Sequence, residues 1–156
     1  MAATPVNDRD LWRVAGGQGS RCGCFGRAVS VGSRPEYRLQ TRGGVQASVV
    51  FDGEGRAFVA DLSGAVQAFS EGRTRLWSTQ LHGGISATPA VPPTRASLFV
   101  GTHTGWIYAL DAETGATRWR KEVPTRSDPR ILSDLLIWPE ADAVVFRSWG
   151  GRFLAL

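Results

Sequence analysis

The residue types best suited to metal or acid–base chemistry are few in this chain: two cysteines, two histidines and scattered carboxylates. Cys22 and Cys24 stand in RCGCFG, a Cys-x-Cys spacing that could supply half of a zinc site. A structural zinc ion needs about four ligands, and His82 and His103 lie in unrelated turn sequences. Because a disulfide between cysteines one residue apart is strained, the pattern favours free thiols. We therefore expect no bound metal.

The carboxylates lie in turns or beside predicted strands. Asp52 and Glu54 flank a turn glycine in FDGEG, and Asp111 opens a turn, where aspartate commonly bonds its own backbone. His103, at the tip of GTHTG, also fits a turn. The glycines of AGGQGSRCG lack the strand-then-helix context of a dinucleotide-binding loop. The remaining candidates border strands: Asp134, Glu140 and Asp142. The sequence therefore offers no catalytic or cofactor-binding residue and favours a protein that is not an enzyme.

The charge pattern bears on partners and location. The net charge of +4 comes almost wholly from arginine, because Lys121 is the only lysine. The arginines are spread without clusters, which argues against a nucleic-acid partner. No segment approaches the length of a membrane span, and the first residues, MAATPVNDRDLWRV, contain no signal-peptide core. We expect a cytoplasmic protein if Met1 is the true start and a periplasmic one if a leader precedes it.

The elements that must position these residues are short strands. The 19 glycines and eight prolines are spread through the 156 residues, so no helical stripe continues for long without interruption. Three ungapped segments repeat: AFVADLSGAVQAF at residues 57–69, LFVGTHTGWIYAL at 98–110 and VVFRSWGGRFLAL at 144–156. They place Gly64, Gly105 and Gly151 in one column, and Ala68, Ala109 and Ala155 in another, at offsets of 41 and 46 residues.

A repeat of this length with about four short strands per unit is typical of a β-propeller, in which each four-stranded antiparallel sheet, or blade, packs on the next. We predict an all-β fold with about three blades, at residues 43–81, 83–124 and 131–156, within a partial propeller spanning 35–156. Residues 1–34 are predicted to be a largely irregular lead-in, and PEYRLQT from Pro35 an outer strand. Because a ring needs roughly four to eight blades, the ring is incomplete, and its open strand edge favours self-association.

The second unit also carries a motif. ALDAETGATRW at residues 109–119 resembles the A-x-D-x-x-T-G-x-x-x-W repeat of the pyrroloquinoline-quinone (PQQ) type propellers. The strand pair before it, with Val100, Thr102, Gly105, Ile107 and Tyr108, fits the same family. In the first unit Ser70, Glu71 and Gly72 replace the D-x-x-T-G turn, so that unit is a degenerate copy. LWRVAGGQGSRCGCFG, with Trp12, Gly16 and Gly17, resembles the lead-in that often precedes such propellers.

The resemblance implies roles for particular residues. In that family the tryptophan of the outer strand docks on the adjoining blade. It implies docking roles for Trp77 and Trp119, with structural roles for the turn residues Gly64, Gly105, Gly151, Asp111 and Gly115.

Two functions are compatible with the resemblance. The first is a non-catalytic propeller module that binds or scaffolds another protein and is part of a longer propeller. Its expected binding surface consists of His103, Thr104, Trp106 and Trp149. The alternative is a fragment of a PQQ-dependent quinoprotein dehydrogenase, which would bind PQQ with Ca²⁺ and whose catalytic residues are absent from this chain.

Overall fold

A computed structural model describes residues 38–92, 97–124, 128–151 and 153–156. The predicted lead-in at 1–34, with Cys22 and Cys24, lies outside these residues. Within the described ranges the chain is almost entirely β, and its one helical element is a 3-10 turn at Pro139–Ala141. No helix in these ranges is long and apolar enough to cross a membrane.

The described strands form three antiparallel sheets that follow one another along the chain. The first sheet contains β1 (Val50–Phe51), β2 (Ala57–Ala60), β3 (Ala65–Phe69) and β4 (Arg75–Gln80), in that order. The second contains β5 (Ser97–Gly101), β6 (Trp106–Asp111) and β7 (Thr117–Glu122). The third contains β8 (Leu136–Trp138), β9 (Ala143–Arg147) and β10 (Phe153–Ala155), with β9 in the middle. The all-β fold with about three open sheets is confirmed.

The second sheet departs from the predicted four strands per unit. In place of a fourth strand ahead of β5, the structure has one bridge between Ala90 and Phe99. Pro89 and Pro92 lack the amide hydrogen that a longer ladder needs, which explains the shortening. Residues 38–41, part of the stretch predicted as an outer strand, contain no strand, while Pro35 to Tyr37 lie outside the described residues.

Two hydrophobic cores lie between successive sheets. Because neighbouring side chains on a strand point to opposite faces, the second sheet contributes alternate residues to each core. The first core joins the first and second sheets through fully buried side chains that include Phe58, Val66, Leu98, Val100 and Leu110. The second joins the second and third sheets through Phe99, Ile107, Ile131, Val144 and Phe146. The middle sheet is therefore covered on both faces.

The glycine column of the sequence marks the hairpin turns that join β2 to β3, β5 to β6 and β9 to β10. Gly64, Gly105 and Gly151 have φ values of 85°, 81° and 84°, a region that favours glycine. At Gly105 a Cβ would also lie 2.4 Å from the Pro129 side chain, in the segment that leads into the third sheet, and at Gly64 it would lie 2.5 Å from the Gly83 carbonyl oxygen. These two glycines combine a tight turn with close approach to a neighbouring segment, whereas a Cβ at Gly151 would meet no described atom within 4 Å.

Candidate functional site

The hairpin turns that join β2 to β3, β5 to β6 and β9 to β10 present one residue each at an equivalent position. These residues, Leu62, His103 and Trp149, are called here the loop row. Each donates its backbone N–H to a carbonyl in the segment that leads into its own sheet. The donor and acceptor pairs are Leu62 and Gly44 at 2.9 Å, His103 and Gly84 at 2.8 Å, and Trp149 and Arg130 at 2.7 Å.

Further backbone bonds connect the first two turns to the segments that lead into the next sheets. The carbonyl of Asp61 accepts from the amide of Ile85 at 3.1 Å, and the carbonyl of Thr102 accepts from the amide of Ile131 at 3.1 Å. Backbone hydrogen bonds therefore connect the three turns to the segments that lead into the sheets, along one edge of the sheet stack. This edge holds the loop row in a fixed arrangement.

The loop row is apolar, aromatic and partly exposed. Trp149 is 57% exposed and Leu62 is 39% exposed, while His103 is half-buried. The Arg130 guanidinium lies 5.8 Å from the centre of the Trp149 ring, within range of a cation–π contact. Arg130 also pairs with Asp128, and hydrogen bonding from Arg130 lowers the pKa of the Asp128 carboxyl. Side chains of this kind suit the recognition of another polypeptide.

His103 has one side-chain partner in the described chain. Its Nε2 lies 2.7 Å from the Ser86 hydroxyl oxygen. Among the described hydrogen bonds, no carboxylate contacts the His103 ring, so the pair lacks the third group that orients a catalytic histidine. The contact instead fixes the turn against the segment leading into the second sheet.

The other two residues of the expected binding surface lie differently. The Thr104 hydroxyl donates to the His82 carbonyl at 2.7 Å and is used within the fold. Trp106 packs partly buried against the first core, and the Arg120 guanidinium lies 5.0 Å from its ring centre. The structure thus brings His103 and Trp149 into one row and turns Trp106 toward the core. Leu62 was missed, although the ungapped repeat places it in the column of His103 and Trp149.

A buried carboxylate supports the first turn. Asp61 is 1% exposed, and its Oδ2 accepts from the amides of Arg42 and Gly43 at 3.1 and 3.0 Å. Its Oδ1 accepts from the amides of Ser63 and Ala65 and from the Ser63 hydroxyl. Burial raises the pKa of Asp61, but these hydrogen bonds outweigh it, and the pKa lies below its ordinary value. This carboxylate is a structural anchor.

The Trp77 indole on β4 reaches the second sheet. Its Nε1–H donates to the Ala112 carbonyl at 3.1 Å, and its ring centre lies 6.0 Å from that of Phe58. The ring packs so close to Gly115 that a Cβ there would lie 2.5 Å from it. The Thr79 hydroxyl donates to the Gly115 carbonyl at 2.7 Å. The contact has the form expected of a docking tryptophan.

Asp111 shapes the turn that receives Trp77. Its Oδ1 accepts from the amides of Glu113 and Thr114 at 3.0 and 2.9 Å, and Arg118 donates to its Oδ2 at 2.6 Å. The Arg118 bond is the main reason that the pKa of Asp111 lies well below its ordinary value. Asp111 therefore stays ionised and holds the turn in shape.

The alternative function, with PQQ and Ca²⁺, calls for a group of oxygen ligands that includes carboxylates. Calcium prefers six to eight oxygen ligands, carboxylates among them. No three Asp, Glu, His or Cys side chains gather into a metal-binding group in the described ranges. Three of the carboxylates are already engaged: Asp52 by Arg56, Asp61 by backbone amides and Asp111 by Arg118.

Several solved structures share the fold. BamB from Moraxella catarrhalis is 23% identical with a TM-score of 0.63, and the match covers 76% of this chain and 35% of that one. The quinohemoprotein alcohol dehydrogenase from Comamonas testosteroni is 20% identical with a TM-score of 0.62, covering 72% and 19%. A europium-containing methanol dehydrogenase is 19% identical with a TM-score of 0.65, covering 78% and 24%. At these identities the likeness establishes the β-propeller fold alone.

This chain spans about a third or less of the length of those structures. No curated protein sequence matches it. The sequence pattern of one family, described as outer membrane protein assembly factor BamB, matches residues 2–156. Together with the PQQ-type repeat at 109–119, this match shows that the chain belongs to the PQQ-type propeller family described as outer membrane protein assembly factor BamB.

Proposed function

We propose that this chain is a non-catalytic propeller module that binds another polypeptide, as part of a longer propeller. The proposal rests on the loop row. Its residues Leu62, His103 and Trp149 lie at equivalent turn positions along one edge of the sheet stack, where backbone hydrogen bonds hold each turn. The description of the family suggests the class of partner, a polypeptide engaged in outer membrane protein assembly.

The chemistry of the loop row supports binding in two ways. Tryptophan and arginine are enriched among residues that dominate the energy of protein interfaces, and Trp149 with Arg130 supplies both. The backbone of each turn is already fixed by hydrogen bonds, so little conformational entropy is lost on binding. Binding through the loop row requires no catalytic group.

The test uses an outer membrane β-barrel protein as the probe. The probe is labelled with a fluorophore, unfolded in urea and diluted into buffer at the start of the measurement. Fluorescence anisotropy measures its binding to the chain. We expect Trp149→Ala to weaken binding about tenfold or more, the loss typical of an interface hot spot. Trp138→Ala is the matched control, because Trp138 is 50% exposed but lies on β8 outside the loop row. Equal weakening by both variants, or no binding by the unchanged chain, would refute the proposal.

The alternative function is a fragment of a quinoprotein dehydrogenase, and the two dehydrogenase structures of the same fold are the reason to test it. The probe is PQQ with Ca²⁺, and the measurement is tryptophan fluorescence. The proposed binding module predicts no saturable quenching, since the carboxylates of Asp52, Asp61 and Asp111 are engaged in the fold. Saturable quenching would favour the dehydrogenase.

A further inference from the structure

A cleft of about 440 Å³ lies between the outer strands of the first and second sheets. It runs from the end of β4 to β6 and β7, and no residue of the loop row lines it. Its volume falls within the range of small-molecule sites, roughly 300–1,000 Å³. The polar residues that line it are Gln80, His82, Tyr108, Thr117 and Arg120, and no carboxylate is among its described lining.

Tyr108 brings to this cleft a hydroxyl that the fold does not use. The residue is 3% exposed and its side chain belongs to the first core, yet it lines the cleft. Its hydroxyl makes no hydrogen bond with a described residue. The oxygen is not enclosed either, because the described side-chain atoms that are both enclosed and unbonded belong to Gln67 and Ser148. Buried tyrosines usually bond their hydroxyl, so this one is available to a ligand.

Arg120 lies beside Tyr108 in the second sheet. The two residues pair across β6 and β7, so their side chains share one face. The Arg120 guanidinium lies 5.0 Å from the Trp106 ring centre, a contact that holds it against the sheet. The described ion pairs use other arginines, and no described carboxylate pairs with Arg120. The planar fork of N–H donors on a guanidinium matches the two oxygens of a carboxylate.

The remaining polar lining also favours an anion. The Thr104 hydroxyl donates to the backbone carbonyl of His82 at 2.7 Å, which fixes the chain there, while the His82 imidazole makes none of the described hydrogen bonds. A neutral imidazole offers one N–H donor. Glu122 lies two residues beyond Arg120 on β7 but does not line the cleft. The cleft therefore holds a positive charge and neutral donors without a negative charge, which is the electrostatic pattern of an anion site.

The apolar part of the lining narrows the class of anion. Leu81 and the Tyr108 ring belong to the first core, and Trp119 also lines the cleft. An inorganic phosphate would use the donors but leave these apolar walls uncovered. A carboxylate attached to an apolar body would use both, because its body would bury apolar surface beside the bound charge.

We propose that this cleft binds a small organic carboxylate with an apolar body. Arg120 binds the carboxylate, the Tyr108 hydroxyl donates to one of its oxygens, and the His82 imidazole supplies a further donor at the rim. The apolar body lies against Leu81 and the Tyr108 ring. This site is separate from the loop row and does not depend on the polypeptide partner proposed above.

The probe is phenylacetate, which joins a carboxylate to a phenyl ring, and its binding to the whole chain is followed by ¹H–¹⁵N NMR. At the affinity per atom usual for small ligands, we expect a dissociation constant of about 1–10 mM. The amides that shift should be those of residues 80–82 and 119–121, which border the cleft. Phenylacetamide keeps the ring without the charge, and inorganic phosphate keeps a charge without the ring. Each should bind about tenfold more weakly or less.

Three variants test the assigned residues. Arg120→Gln and Tyr108→Phe should each weaken phenylacetate binding about tenfold, the loss expected for a charge-assisted hydrogen bond. Arg75→Gln is the matched control, because Arg75 is an exposed arginine on β4 that does not line the cleft, and it should leave binding unchanged. Because the Tyr108 hydroxyl has no partner in the described fold, Tyr108→Phe should also leave the urea unfolding midpoint unchanged.

Four results would each overturn the proposal. The first is no saturable binding of phenylacetate, and the second is equally strong binding of phenylacetamide or phosphate. The third is equal weakening by Arg75→Gln and Arg120→Gln, which would reduce the effect to net charge. The fourth is a lower unfolding midpoint for Tyr108→Phe, which would show that the hydroxyl serves the fold rather than a ligand.

Discussion

Gly115→Ala should destabilise the protein far more than a comparable substitution at another glycine of the same backbone conformation. Gly115 has a φ of 74° and a Cβ there would lie 2.5 Å from the Trp77 ring. Gly55 has a φ of 77°, but a Cβ there would meet only Glu71 at 3.9 Å. The two substitutions therefore share the backbone cost and differ in whether they displace an indole.

The size of the difference follows from the contacts. Alanine in the left-handed region costs about 1.5 kcal/mol relative to glycine, and this is the whole cost expected for Gly55→Ala. Displacing Trp77 also breaks its bond to Ala112, worth about 1 kcal/mol. Re-exposing roughly a third of a tryptophan, about 70 Å², adds about 1.7 kcal/mol. Gly115→Ala should therefore lower the free energy of unfolding by about 4 kcal/mol.

The assay is urea unfolding followed by circular dichroism, with the free energy of unfolding extrapolated to water. A double-mutant cycle provides the control: in a Trp77→Ala background, Gly115→Ala should lose the part of its cost that comes from the indole and keep the backbone cost and the contact with the Thr79 hydroxyl oxygen, 2.7 Å from the Cβ. The reasoning is refuted if Gly115→Ala costs as little as Gly55→Ala in the unchanged chain. It is also refuted if the Gly115→Ala penalty persists in full when Trp77 is absent.

Three further predictions concern the anchor, the core and the loop row. Asp61→Asn should lower the free energy of unfolding by roughly 2 kcal/mol at pH 7. The side-chain N–H₂ group of the asparagine would then face backbone N–H donors that now bind a carboxylate oxygen. The pKa of Asp61 is lower in the folded chain than its ordinary value of 3.8, so its stabilisation is complete above that value and is lost as pH falls through the folded-state pKa. The difference in the free energy of unfolding between the unchanged chain and Asp61→Asn should therefore shrink when unfolding curves are recorded from about pH 7 down to about pH 3, near the pKa of aspartate. A difference that stays constant would contradict this. Phe58→Ala should cost about 3–5 kcal/mol, and Phe51→Ala, at an exposed position, under about 1 kcal/mol, by the same assay. Trp149→Ala should change the free energy of unfolding by less than about 0.5 kcal/mol, and a larger loss would show that Trp149 supports the fold rather than a partner.

The features that were predictable from the sequence are those that local chemistry dictates. The glycine column at Gly64, Gly105 and Gly151 marks positive-φ turns because other residues rarely adopt that conformation. The same repeat placed strands on either side of each turn. The family was recognisable from the motif at 109–119 because its turn requires an aspartate, a threonine and a glycine at fixed spacing.

Other features depend on contacts between distant segments. The backbone hydrogen bond from His103 to Gly84 requires no particular residue type, since any residue except proline can donate its amide hydrogen. Arg73 adopts a positive φ, a conformation that glycine normally supplies, so the shape of its turn emerges only from the backbone. Leu62 was overlooked for a different reason: an aliphatic residue in a turn gives no chemical signal by itself. The shortened strand at Ala90 was foreseeable from Pro89 and Pro92.

The amides of the loop row are held by main-chain acceptors. Those of Leu62, His103 and Trp149 donate to backbone carbonyls, so these bonds do not depend on which side chain stands at the three positions, while the Asp61 carboxylate and the contact of Ser86 with His103 add support to the first two turns. Evolution can therefore exchange the three side chains while the framework stays unchanged. A related chain could acquire a different binding specificity through substitutions at these three positions, as antibodies vary loop residues on a constant scaffold.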